Sequence, residues 1–203
     1  MEVNWDKTLQ MSICTGSVVH RPDGTELERK REIVYLGGLI TSDGRVSREL
    51  SRRVGEGRSI LNKLRQLWSH ANLSYERKFV IFNACITSKV MYALESIWLL
   101  KVDRTRLDAF QCSCLRRILK IPPSFISRVR NAEVYERAGQ IRYSILLENR
   151  QKKLFLKIQS LPFNNVVRKL VCDEEGYPLK WYIRRNRGRP QQRWAQSVGS
   201  LAL

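Results

Sequence analysis

The sequence predicts a mainly α-helical protein with a small N-terminal antiparallel β element, an α+β chain. Two features predict this. Short alternating runs punctuated by turn residues fill the first 44 positions, and apolar spacings of three, four and seven dominate beyond them. A hydrophobic content of 43% over 203 residues is enough to supply a core.

The chain is organised around residues 33–68. Ile33-Val34-Tyr35-Leu36 reads as a β segment that is broken by Gly37-Gly38 and resumes at Leu39-Ile40-Thr41. Paired glycines inside a strand mark a bulge or a close backbone approach. Asp43-Gly44 then supplies a positive-φ turn, and Ser47 is the expected N-cap of a long helix. On that helix Leu50, Val54, Leu61, Leu64 and Trp68 share one face. Arg45, Arg48, Arg52 and Lys63 fall roughly opposite, a distribution suited to lying along a phosphate backbone. A solvated face on a basic protein is an equally simple reading.

Tyr35-Leu36-Gly37, Ile40-Thr41-Ser42-Asp43-Gly44 and the arginine-rich helix resemble the primer-grip hairpin and first thumb helix of reverse transcriptases from non-LTR (LINE-type) retrotransposons. The resemblance implies that Tyr35, Gly37 and Gly38 hold template and primer together with the cations of the helix. At the N-terminus, Val-Asn-x-x-Lys-Thr-x-x-Met over residues 3–11 is similar to the palm segment after the catalytic aspartates of that family. By that resemblance Lys7 is an accessory residue near the incoming nucleotide; otherwise it is a surface lysine. The alternation of Leu9 to Ile13 predicts a half-buried strand. Val18-Val19, the Arg21-Pro22-Asp23-Gly24 turn and Thr25-Glu26-Leu27 add a weaker β region, expected to join residues 33–41 in one small antiparallel sheet.

Ser74 is the expected cap of a second helix from Tyr75 to about Leu99, apolar on more than one side through Phe79, Phe82, Ile86, Val90, Met91, Leu94, Ile97 and Trp98. Asp103 is the expected cap of a third, with Leu107, Phe110, Cys114, Leu115 and Ile118 on one face and Pro122-Pro123 as its stop. Arg104, Arg106, Arg116, Arg117 and Lys120 surround it with positive charge. Residues 92–98, 106–110 and 114–119 resemble the thumb of the same family, which implies a thumb-like helical bundle. Residues 130–139 predict a short helix stopped by Gly139, similar to the family's Asn-x-x-Val-x-x-x-Ala segment. A further helix from about Ile141 to Leu161 places Ile145, Leu146, Leu154, Phe155 and Ile158 among basic residues. It has Leu156-Lys157 where many family members carry Gly-His. Asn164 to Val171 predicts another short helix.

The tail is densely basic, and Gly-Arg-Pro-x-x-Arg-Trp over residues 188–194 is similar to the family's closing motif. Arg187, Arg189 and Arg193 are therefore candidate phosphate ligands, with Trp181 and Trp194 either stacking on bases or docking the tail on the helices.

A formal charge of +18 and a pI near 10.2 point to a polyanionic partner, nucleic acid first and an anionic membrane surface second. No apolar run reaches the roughly 18 residues a membrane span needs, and no secretory signal opens the chain, so an intracellular location, nuclear or cytoplasmic, is expected. Five cysteines without a C-x-x-C pair and two histidines predict no bound metal. Polymerase chemistry needs clustered carboxylates holding two metal ions about 3.5–4 Å apart. Asp6, Asp23, Asp43, Asp103, Asp108 and Asp173 are scattered, without an Asp-Asp pair. The expectation is thus the last part of a polymerase, beginning downstream of its active site. Residues 1–44 would be palm remnant and primer grip, 45–122 a thumb-like bundle, and 123–203 a basic helical extension. Such a chain would hold an RNA/DNA template-primer, pair with the missing palm and fingers, and bind no cofactor itself; Mg²⁺ belongs to the complete polymerase by resemblance. The alternatives are a stand-alone basic nucleic-acid-binding module and a helical protein-interaction domain.

Overall fold

The computed structural model describes residues 3–12, 18–70, 72–179 and 193–202, and the chain divides into two units, Met1–Arg52 and Arg53–Leu203. Among the described residues it is mainly helical with one two-stranded antiparallel sheet, the expected class.

In the first unit, β1 (Glu32–Tyr35) pairs with β2 (Gly38–Thr41) in the register Ile33 to Ile40 and Val34 to Leu39. The glycine pair is not a bulge. Leu36 (φ 48°) and Gly37 (φ 78°) form a two-residue turn with both residues at positive φ, the geometry whose twist matches a hairpin. Leu36 therefore belongs to the turn and not to the strand. The predicted strand at Leu9 reduces to one parallel bridge between Gln10 and Arg29, and Ile13 lies outside the described residues. Residues 18–27 give a turn closed by Arg21 N to Thr25 O (2.8 Å) and Leu27 N to Val19 O (2.9 Å), with a single bridge between His20 and Glu26. With Leu9, Val18 and Val19 all exposed, these segments bury too little apolar surface to extend the sheet.

Helix α1 (Ser47–His70) begins within the first unit. Its first turn is bonded from Leu50 N to Val46 O, so Ser47 is the first helical residue and not the cap. Leu50, Val54 and Leu61 are buried as their spacing predicts.

In the second unit, Ser74 caps α2 (Tyr75–Phe82) by accepting from Arg77 N. A π-helical stretch, Asn83–Thr87, leads into α3 (Ser88–Met91). The helix stops there, eight residues short of expectation, and Ala93 is left-handed (φ 55°). Carbonyl groups in the non-helical stretch that follows are satisfied from distant elements. Trp194 Nε1 donates to Glu95 O (2.7 Å), Gln151 Nε2 to Ile97 O (2.6 Å) and Arg104 Nε to Leu99 O (3.2 Å). Helix α4 (Lys101–Ile118) starts after Leu100, which puts Asp103 inside the first turn, where its charge suits the helix dipole, and not at the cap. A one-turn helix, α5 (Ser124–Ser127), precedes α6 (Asn131–Ala138), and Gly139 (φ 59°) closes α6 as expected.

Helix α7 (Tyr143–Gln159) is the hub, packing against α4, α8 (Val166–Val171), α9 (Trp194–Ala202) and the turn at Leu94–Ser96. Two side chains of α4 cap it from outside. Tyr143 N donates to Gln111 Oε1 (2.7 Å) and Ser144 N to Asp108 Oδ1 (2.8 Å). Its buried row is Tyr143, Leu147, Gln151, Phe155 and Ile158, whereas Ile145 is exposed. The polar Gln151 at the centre of that row interrupts the hydrophobic pattern of the helix's core face. Trp194 and Val198 of α9 pack with Phe155 and Cys172, so this tryptophan serves to dock α9 on the helices.

Candidate nucleic-acid interface

The candidate residues of the first unit sit on the β1–β2 hairpin and the start of α1. Tyr35 and Leu36 are exposed at the tip, where the two-residue turn holds them clear of the unit's core. Behind the tip lies a clasp that the sequence reading missed. Glu49, only 2% exposed, receives Arg52 Nε on Oε2 and Arg52 Nη2 on Oε1, each at 2.8 Å, and Leu39 N donates to Oε2 at 3.1 Å. Arg52 Nη2 also donates to Gly37 O at 2.7 Å. Gly37 and Gly38 are thus held to the helix by an ion pair, and Arg52 is spent on that task. Arg48 pairs with Glu32 on β1. Arg45 precedes the helix and lies 3.9 Å from Asp43, whose carboxylate is held below its ordinary pKa by the Thr41 hydroxyl (2.6 Å) and then by Arg45 N (3.0 Å). Lys7 is exposed on a single 3-10 turn capped by Asn4.

Charge is divided unevenly between the units. Met1–Arg52 holds eight basic and eight acidic residues and is formally neutral; the other 29 basic and 11 acidic residues, the entire +18, belong to Arg53–Leu203. There Arg58, Lys63 and Arg65 are exposed on α1. Arg53 is not: it is buried, donates to Lys89 O (3.3 Å) and lies 5.0 Å from the Tyr92 ring centroid. Arg104 stacks over Trp98 at 4.3 Å, and burial pulls its pKa down from the ordinary guanidinium value.

Arg116, expected among the surface cations, is 8% exposed and ties down the connection between α4 and α6. Nη1 donates to Pro122 O (3.0 Å) and Ser127 Oγ (3.4 Å), and Nη2 to Val129 O (2.6 Å) and Asn131 Oδ1 (2.9 Å). Arg193 is half-buried just before α9, while Arg187, Arg189 and Trp181 lie outside the described residues. Among the described residues no three His, Cys, Asp or Glu side chains come together as a metal site, and no helix is long and apolar enough to cross a membrane. The described residues do not form the carboxylate cage a Mg²⁺ pair needs. Burial pushes the Cys114 thiol up to about 12, which keeps it protonated near neutral pH.

The chain matches no protein-family model, no curated protein and no solved structure.

Proposed function

We propose that this chain is a template–primer-holding portion of a non-LTR retrotransposon reverse transcriptase, non-catalytic alone, which binds nucleic acid mainly through Arg53–Leu203. The observation that carries the reading is the segregation of the whole +18 onto that unit, with Arg58, Lys63 and Arg65 exposed along one helix. The motif resemblance adds the polymerase context: an RNA/DNA duplex as ligand, a palm portion as partner, Mg²⁺ held by that palm, and a nuclear or cytoplasmic location. Binding a duplex positions reactants, but without a metal cage the developing charge on the attacking and leaving oxygens is unsupported.

The test is binding of an RNA–DNA hybrid as a function of salt. Each phosphate contact contributes about 0.9 to the slope of log affinity against log salt. Arg58→Ala and Lys63→Ala are each expected to flatten the slope by close to one contact, whereas Arg45→Ala and Arg48→Ala, which face Asp43 and Glu32, change it less. A wild-type slope near zero refutes the reading. Primer extension on an RNA template with Mg²⁺ or Mn²⁺ is expected to give no product above a blank. Templated extension by the purified chain would overturn the non-catalytic assignment.

A further inference from the structure

The connection between α4 and α6 presents a feature that duplex holding does not require. Phe125 and Ile126 sit side by side on α5, 72% and 62% exposed. Between residues 117 and 130 the chain carries Arg117, Lys120, Arg128 and Arg130 and no Asp or Glu, and all four cations are exposed. The loop is not slack. Pro122-Pro123 restrict its entry, and Arg116 binds it from beneath at four oxygen atoms, none of them a carboxylate. The guanidinium charge beneath the loop is therefore not cancelled by these partners and adds to the positive field above it.

Both ends of the loop are backbone-strained. Lys120 (φ 57°) and Arg128 (φ 59°) occupy the left-handed region that glycine or asparagine would fill without strain. Each strained position holds a cation. An exposed aromatic ring on a loop tied down by Arg116, with cations before and after it in the chain, is the arrangement that stacks an unpaired base while holding its phosphates. An anionic bilayer would be better served by a broad apolar face than by two adjacent side chains.

We infer that the α4–α6 loop is a base-stacking wedge for single-stranded nucleic acid. Phe125 takes an unpaired base, and Arg117, Lys120, Arg128 and Arg130 hold the flanking phosphates. This rests on the nucleic-acid reading above and deepens it, assigning the chain a preference for single-stranded ends or gaps over closed duplex.

The experiment compares a single-stranded 15-mer with a blunt duplex of the same sequence, using the full chain. Phe125→Ala is expected to weaken the single strand about five- to a hundred-fold and to leave the duplex unchanged. Phe125→Leu keeps the apolar contact and loses the ring, and is expected to behave like the Ala variant. Arg128→Gly relieves its own backbone, so its denaturation midpoint should not fall, while its single-strand salt slope drops by about 0.7. A 5-iodouracil oligonucleotide should crosslink at Phe125. If the wild type shows no salt-dependent binding to either ligand, the nucleic-acid reading fails and the wedge with it. If the wild type binds but Phe125→Ala is unaffected and the crosslink lies elsewhere, the wedge alone is refuted. Full single-strand affinity in Phe125→Leu, or loss only of sedimentation with phosphatidylserine vesicles, would mark an apolar docking point and overturn the stacking assignment.

Discussion

Breaking the Glu49–Arg52 clasp from its two sides should have unequal consequences. Arg52→Ala removes the cation from a carboxylate that is 2% exposed and leaves the Leu39 amide as its donor of the clasp. Breaking a buried pair in this way costs about 3–5 kcal/mol. The arginine head, however, is 28% exposed, so part of the pair energy is already screened, and a loss of about 2–3 kcal/mol is the better expectation. Glu49→Ala leaves a guanidinium that can turn to water while still reaching Gly37 O, and should cost about 1–2 kcal/mol, chiefly the orphaned Leu39 amide. The double variant removes both charges and should fall well short of the sum, with a coupling energy above about 1 kcal/mol. Urea denaturation gives the global values, and hydrogen exchange at Leu39 reports the hairpin itself. Equal losses from the two single variants, or a coupling below about 0.5 kcal/mol, would show that the clasp does not hold the hairpin.

Further outcomes follow from packing and titration. A Cβ on Gly57 would lie 2.7 Å from Val90 Cγ2 and 2.9 Å from Phe110 Cζ, whereas one on Gly55 meets nothing within 4 Å. Gly57→Ala should therefore lose about 1–2 kcal/mol net of its helix propensity, while Gly55→Ala gains up to about 1, opposite signs readable in one denaturation series. Alkylation of the native protein followed by peptide mass mapping should modify exposed Cys85 and spare Cys112, Cys114 and Cys172. For Cys114 burial raises the thiol pKa from 9.0 to about 12, so its protonated form favours folding fully below pH 9 and that contribution is lost as pH rises toward 12. Asp43 runs the other way. Its folded pKa lies below 3.8, so its contribution is present above that value and lost as pH falls through the folded one; Thr41→Ala, by removing the largest cause, should move the NMR titration of Asp43 upward.

Local chemistry made much of the fold legible. The Asp43-Gly44 turn, the Ser74 cap, the Gly139 stop and the buried row Leu107, Phe110, Cys114, Leu115 and Ile118 each depend on residues within a turn or two of one another. What periodicity did not show is the helix break after Met91. The apolar pattern runs on through Leu94 and Trp98, but the carbonyls of Glu95 and Ile97 are met by Trp194 and Gln151, 99 and 54 residues away. A helix prediction weighs only the bonds a segment can make with itself; here tertiary donors supplied the alternative.

The site was legible in kind more than in use. Residue type announces a guanidinium, and only the partner it meets decides whether that charge faces solvent. Arg45, Arg48 and Arg52 each stand beside a carboxylate from within a unit of zero net charge, Arg53 and Arg116 are buried, and Arg58, Lys63 and Arg65 remain outward. Wheel geometry cannot separate these cases, because Glu32 and Asp43 reach their arginines from outside the helix and Arg116 finds its acceptors 6 to 15 residues downstream. Positive charge at the start of α1 is therefore consumed in holding a hairpin, whereas in Arg53–Leu203 29 basic residues outnumber 11 acidic ones. A polyanion is attracted by that surplus over several ångströms and at low salt most strongly, whereas paired surface charges of the first unit offer it little at any distance.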